Sequence, residues 1–240
     1  MNTGWTEKYR DKITDAKRAL AHLKPGSRIF ISGGCAQPRH LVNALVEQAA
    51  SLPDTEIIGM ITAGKPPYAD KKYADSFRLN AFFVGDSMRE AVWEGMADYT
   101  PILLSEVPAL FKSGRMHIDA ALVQLSPPDK SGYCSLGISV DIALAAIESA
   151  DVVIAQINPK MPRTLGDTFV PLSRLDAIVI QEEELLTPEG QFCDDSCRMI
   201  AKNIAKLVED GSTLQIGMGA IPENVLLCLD NHSDLGVHTE

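Results

Sequence analysis

Gly26-Ser27-Arg28-Ile29-Phe30-Ile31-Ser32-Gly33-Gly34 runs from a glycine turn through a short apolar, β-branched stretch to a pair of glycines. After Pro38, residues 41–50 take up a helical period. The whole reads as strand, glycine loop and helix. Further apolar runs at residues 56–61, 80–84, 120–125, 152–157 and 177–180 alternate with helical patterns such as 87–96 and 142–150. Strands apolar on both faces need cover on both faces, so the pattern predicts an α/β fold with a mainly parallel sheet and helices on either side. Residues 6–23, rich in charge and ended by Lys24-Pro25-Gly26, predict a surface helix leading into it.

The opening unit returns 185 residues later as Gly211-Ser212-Thr213-Leu214-Gln215-Ile216-Gly217-Met218-Gly219. With one residue fewer in the second loop, Pro38 falls on Pro222, Leu41 on Val225 and Leu45 on Leu229. The following strand matches too, Asp54-Thr55-Glu56 lying opposite Asp234-Leu235-Gly236. Two duplicated domains are therefore expected, the first over residues 1–210 and a second, truncated one over 211–240. On this reading the sequence is the front part of a longer protein, because a sheet cut after its second strand leaves an edge that natural domains avoid.

With 45% hydrophobic and 22% charged residues the composition is that of an ordinary globular protein. The formal charge of −10, from 32 acidic against 22 basic residues, argues against nucleic acid and anionic lipid as partners. No apolar run approaches the roughly 20 residues of a membrane helix, and the polar start lacks the apolar centre of a secretory signal. A cytoplasmic protein is expected. Its five cysteines, Cys35, Cys134, Cys193, Cys197 and Cys228, form no even framework, which predicts reduced thiols packed as small hydrophobes. Cys193 and Cys197 fall four apart, as on one helix face, but no histidine or second thiol pair stands near, so no metal site is expected.

In parallel sheets ligands bind at the carboxyl ends of strands, where loops lead into helices. Gly33-Gly34 and Gly217-Met218-Gly219 both sit there, and glycine lets backbone approach a ligand closely. The repeat puts Glu240 at the end of the second strand, on the same rim as the Gly217 loop. A carboxylate ionised at neutral pH is able to attack an activated carbonyl without a separate base. The alternative at Glu240 is a solvent-exposed acid. His238, two residues earlier, shares its face but reads equally as a packed histidine. Arg163, in the proline-stiffened loop Asn158-Pro159-Lys160-Met161-Pro162-Arg163-Thr164, suits a carboxylate clamp or a plain surface charge. No G-x-S-x-G elbow is present.

Phe30-Ile31-Ser32-Gly33-Gly34 with Gln37-Pro38, Leu104-Ser105-Glu106-Val107-Pro108, Ser126-Pro127-Pro128-Asp129, Gly132-Tyr133-Cys134-Ser135-Leu136-Gly137, Asn158-Pro159 with Met161-Pro162-Arg163-Thr164, Gly217-Met218-Gly219-Ala220-Ile221-Pro222 and His238-Thr239-Glu240 together resemble the acetyl-CoA hydrolase/transferase family. That group contains 4-hydroxybutyrate and succinate:acetate CoA-transferases. The resemblance covers nearly the whole chain and implies a duplicated CoA-transferase-like fold, of which this is the first half. It implies a ping-pong reaction between an acyl-CoA and a small carboxylate, with coenzyme A as substrate and no permanently bound cofactor. Glu240 matches the nucleophile that passes through an acyl anhydride to a glutamyl-CoA thioester. The backbone N–H of Met218, with Gly219, matches an oxyanion donor, and such a donor typically supplies about 3 kcal/mol. Gly217, Ser32, Gly33, Gly34, Gln37 and Arg163 match substrate- or CoA-binding positions. Relatives commonly associate, so a homo-oligomer is expected. An acyl-CoA hydrolase or a non-catalytic binding module are the alternatives, and without a second half the fragment alone is expected to be inactive.

Overall fold

The computed structural model describes residues 4–187 and 190–239. The chain forms two compact units that divide between Thr187 and Pro188.

In the first unit the strands are β1 (Arg28–Ile31), β2 (Thr55–Gly59), β3 (Phe77–Ala81), β4 (Ala97–Tyr99), β5 (Ala120–Leu125), β6 (Tyr133–Ser135), β7 (Val152–Ile157), β8 (Phe169–Pro171) and β9 (Ala177–Ile180). Seven of them make one parallel sheet in the order β4-β3-β2-β1-β5-β7-β9, while β6 and β8 form a separate antiparallel pair. Helices α1 (Arg39–Glu47), α2 (Asp86–Trp93), α3 (Val107–Lys112) and α4 (Ala143–Ser149) connect them. Alternation along each strand feeds two cores. Ile29 and Ile31 pack with Leu41, Leu45, Ile57, Leu79 and Leu122 on one face. Phe30 packs with Ile58, Phe111, Val123, Ile147 and Val153 on the other. β5 is buried along its whole length, as a central strand covered twice must be. Each fully buried large side chain is worth about 1.5–3 kcal/mol.

Three expectations change. The helix foreseen over residues 6–23 is broken into short turns at Gly4–Lys8 and Ala16–Ala19. Between them Ile13 bridges Ile178 in parallel, Thr14 N–H donating to the Ile178 carbonyl (2.9 Å) and Ile178 N–H to the Lys12 carbonyl (2.8 Å). The open edge of β9 thus captures a β-branched pair that the helical pattern had claimed. The third strand begins at Phe77, before the expected residue 80, and β4, β6 and β8 are additional.

The second unit contains α5 (Asp195–Ala205), β10 (Thr213–Leu214), α6 (Ala220–Leu226) and β11 (Gly236–Val237). The expected boundary at 210 falls inside this unit, because α5 packs against α6. Its internal geometry repeats that around β1. Gly26 and Gly211 have φ of 76° and 77°, and Asp54 and Asp234 have 58° and 56°. Gly26 N–H donates to the Pro53 carbonyl at 3.0 Å and Gly211 N–H to that of Ser233 at 2.9 Å. The parallel register Arg28↔Glu56 is matched by Thr213↔Gly236. The expectation of reduced thiols fails at one pair, since Cys193 and Cys197 are joined in a disulfide, Cα atoms 5.4 Å apart. They do not share a helix face, because α5 starts after Cys193, and Asp194 caps it.

Candidate active site

β1 lies between β2 and β5, so the chain leaves it in one direction and returns on the other side. The helix after β1 packs on one face and the helix after β5 on the other, which makes this rim the switch point at which a doubly wound sheet offers a crevice. The loop after β1 fills it. Gly33 lies so close to the next loop that a Cβ would collide with the Ile61 carbonyl oxygen. Gly34, at φ 56°, donates its N–H to that same carbonyl at 2.6 Å. Ser32 is buried, and its hydroxyl donates to the Ala36 carbonyl at 3.0 Å. Gln37 is buried as well, and its side chain bonds the Tyr68 phenol, which burial pushes up to about 12. Ser32 and Gln37 therefore spend these groups on holding the loop in shape.

Beneath the rim runs a line of buried amides that the sequence reading passed over. Gln124 and Gln156 are cross-strand partners on β5 and β7. Gln124 Nε2 donates to the Gln37 carbonyl (3.2 Å), and Asn158 Nδ2 donates to Gln124 Oε1 (2.8 Å) and to the Glu183 carbonyl (2.8 Å). Gln156 Nε2 donates to the Glu183 carboxylate, and its Oε1 accepts the Leu41 N–H at 3.3 Å, in the first turn of α1. One glutamine in the same place of two apolar runs, Val123-Gln124-Leu125 and Ala155-Gln156-Ile157, was the available signal. Buried amides persist only when bonded, and these tie the glycine loop to the strands below it.

Arg163 is a clamp, but for a carboxylate of its own chain. One guanidinium nitrogen donates to Asp129 Oδ2 (2.7 Å), the other to the Tyr133 carbonyl (2.8 Å), and the plane lies 4.5 Å from the Phe169 ring centroid. The Tyr133 N–H foremost, then the Ser131 N–H and the Arg163 charge, hold the Asp129 carboxyl below its ordinary range against a smaller opposing effect of desolvation. On the opposite rim His117, Asp119 and Asp151 approach within 4.8 Å, but these groups bond within the protein: His117 Nε2 lies 3.0 Å from Asp151, and Asp119 accepts the Arg28 N–H at 2.6 Å.

In the second unit, Gly217, Met218 and Gly219 form the loop between β10 and α6, with Gly219 at φ 138° and Met218 exposed. Among the described residues the Met218 N–H has no backbone acceptor. The chain after β11 runs beside this loop: His238 N–H donates to the Leu214 carbonyl (2.9 Å), Ile216 N–H to Thr239 Oγ1 (3.1 Å), and Thr239 Oγ1 back to the Ile216 carbonyl (2.6 Å). Glu240, the expected nucleophile, lies outside the described residues. No helix among those residues is long and apolar enough to cross a membrane.

The family model described as acetyl-CoA hydrolase/transferase N-terminal domain matches residues 2–188. A 4-hydroxybutyrate coenzyme A transferase of Clostridium kluyveri is 45% identical over 236 residues, covering 98% of this chain and 55% of that protein. A succinyl-CoA:acetate/propanoyl-CoA:succinate CoA transferase of Fasciola hepatica is 43% identical, covering 95% and 48%. Among solved structures, RipA from Yersinia pestis superposes with a TM-score of 0.89 at 28% identity, covering 99% of this chain and 57% of that one. The chain spans about half the length of the curated relatives it matches.

Proposed function

Because this chain belongs to the acetyl-CoA hydrolase/transferase family, we propose that it supplies the nucleophile and an oxyanion donor of a CoA-transferase acting on short carboxylic acids. Glu240 attacks the acyl-CoA carbonyl, and the tetrahedral oxyanion accepts a hydrogen bond from the Met218 N–H. Collapse expels CoA thiolate and leaves an acyl-glutamyl anhydride. The thiolate then attacks the glutamyl carbonyl, releasing the first carboxylate and leaving a glutamyl-CoA thioester. An incoming carboxylate attacks that thioester, and the CoA thiolate it expels attacks the new anhydride at its acyl carbonyl, restoring Glu240. Thioester energy is kept because each step exchanges one activated acyl bond for another. Acceptors of the acetate, butyrate and 4-hydroxybutyrate type fit the relatives' names, and the reaction belongs to the cytoplasm, where a homo-oligomer would carry it out.

One observation carries the reading. Residues 236–239 run along β10 and bond through Thr239 to Ile216, next to the Gly217 loop, which supports reading the residue that follows them in sequence, Glu240, as the nucleophile. These bonds hold the chain after β11 beside a loop whose Met218 N–H has no backbone acceptor among the described residues, which suits an oxyanion donor. The test uses the full-length gene product. Labelled acetate should exchange into acetyl-CoA without a second substrate, borohydride after acyl-CoA treatment should convert Glu240 to an alcohol, and Glu240→Ala should abolish exchange with the fold unchanged. Reduction at another acid, or full activity of the Ala variant, rejects the assignment. Release of free acid with no exchange would make the protein a hydrolase.

A further inference from the structure

Cys193 and Cys197 take no part in the proposed chemistry, and their disulfide is left unexplained by it. A stabilising staple gains most when it closes a long loop, since the entropy removed from the unfolded chain grows with loop length. This one joins residues at a sequence separation of 4. The segment is also held without it. Asp194 Oδ1 accepts the Cys197 N–H (2.7 Å), while Arg198 donates to the Cys193 carbonyl (2.8 Å) and to Asp195 (2.8 Å). These bonds do not involve the sulfurs, and they hold the backbone that carries the two residues, whose Cα atoms lie 5.4 Å apart. A thiol so placed meets its partner at high effective concentration.

Access to the two sulfurs is unequal. Cys193 is only 8% exposed, whereas Cys197 is half-buried at the third position of α5. We propose that Cys193–Cys197 is a reversible thiol–disulfide site that exchanges with low-molecular-weight thiols of the glutathione class through Cys197. In the oxidising direction the Cys197 thiolate attacks one sulfur of glutathione disulfide and expels one glutathione thiolate. The Cys193 thiol, giving its proton to solvent, then attacks Cys197 Sγ and expels the second. Two electrons pass from the protein to glutathione disulfide, and two glutathione thiols reverse the change. The site bears on the rest of its unit through Gln191, whose N–H donates to Glu223 of α6 at 3.1 Å, just beyond the Gly217–Gly219 loop. Closing the disulfide tightens that strap.

The experiment equilibrates the 240-residue chain across ratios of reduced to oxidised glutathione, quenches with maleimide, and reads labelling by peptide mass and amide exchange by deuterium uptake. Cys193 and Cys197 should lose maleimide together at one ratio, in both directions, and exchange over residues 190–194 should slow severalfold on oxidation. Cys134, buried with its thiol pushed up to about 12 mainly by desolvation, should stay unmodified at every ratio. Cys193→Ser should trap a glutathione adduct on Cys197, and Cys197→Ser should trap none on Cys193. A pair that stays bonded in excess reduced glutathione, a pair that never bonds, an adduct on Cys193 in the Cys197→Ser chain, or unchanged amide exchange would each overturn the proposal.

Discussion

At the scale of single residues, the decisive contrast is between groups free to meet a ligand and groups already bonded within the chain. Asp129 and Arg163 belong to the second kind, with one N–H on each terminal nitrogen of the guanidinium given to Asp129 or the Tyr133 carbonyl. Arg163→Ala should therefore act through the fold, lowering Tm by about 2–4 °C and changing the Michaelis constants for acyl-CoA and acceptor alike in the full-length gene product. A rise confined to the acceptor would return Arg163 to substrate binding. The Asp129 carboxyl adds a pH signature. Its pKa is held below the ordinary carboxylate range, mainly by the Tyr133 N–H, so between the two values the native state binds fewer protons than the unfolded one. Its stabilising contribution is present above about pH 4 and lost as pH falls through the lowered value. The Tm gap between wild type and Asp129→Asn should thus be open at pH 7 and close in acid, and a gap independent of pH would contradict the cited bonds.

Elements that bury both faces announce themselves, and those that depend on distant partners do not. β5, β7 and β9 coincide with their apolar runs because each strand lies between covered faces. β4 is a short edge strand written Ala97-Asp98-Tyr99, with two of its three side chains exposed, so no run marks it. Ile13 pairs with Ile178 across most of the unit, which no local period records. The first glycine loop was legible because the close approach at Gly33 admits only glycine, whereas the partner of Arg163 sits 34 residues away. The amide line under the rim shows what patterning hides, since Gln124 and Gln156 look like breaks in apolar runs until their register is known. Gln156→Leu removes the bond to Glu183 and the acceptor of Leu41 N–H, and should cost about 1–3 kcal/mol in urea unfolding. Because the loss comes from partners left bare, adding Glu183→Leu should recover part of it. Equal, additive losses would mean that the two side chains are energetically independent.

For the whole molecule, the two units differ in how far they satisfy themselves. The first closes a sheet between two apolar layers, and residues 12–14 cover its β9 edge. The second has two strands of two residues each, and leaves Phe192, Leu207, Leu227 and Val237 exposed at 89%, 82%, 71% and 64%. A two-stranded sheet is marginal alone, and an apolar area of that kind marks a surface made to be covered. The relatives' proteins are about twice as long as the stretch matched here, which leaves ample chain to cover such a surface in them. The 240-residue chain should accordingly bind anilinonaphthalene sulfonate and self-associate with rising concentration, while a chain ending at Thr187 should do neither and keep a cooperative thermal transition. Replacing Phe192, Leu207 and Leu227 by serine in the longer chain should suppress the dye signal without shifting the main transition, since none of the three is buried. Equal dye binding by both lengths would place the sticky surface on the first unit, among exposed side chains such as Trp93 and Leu103, and would remove the second unit from any part in association.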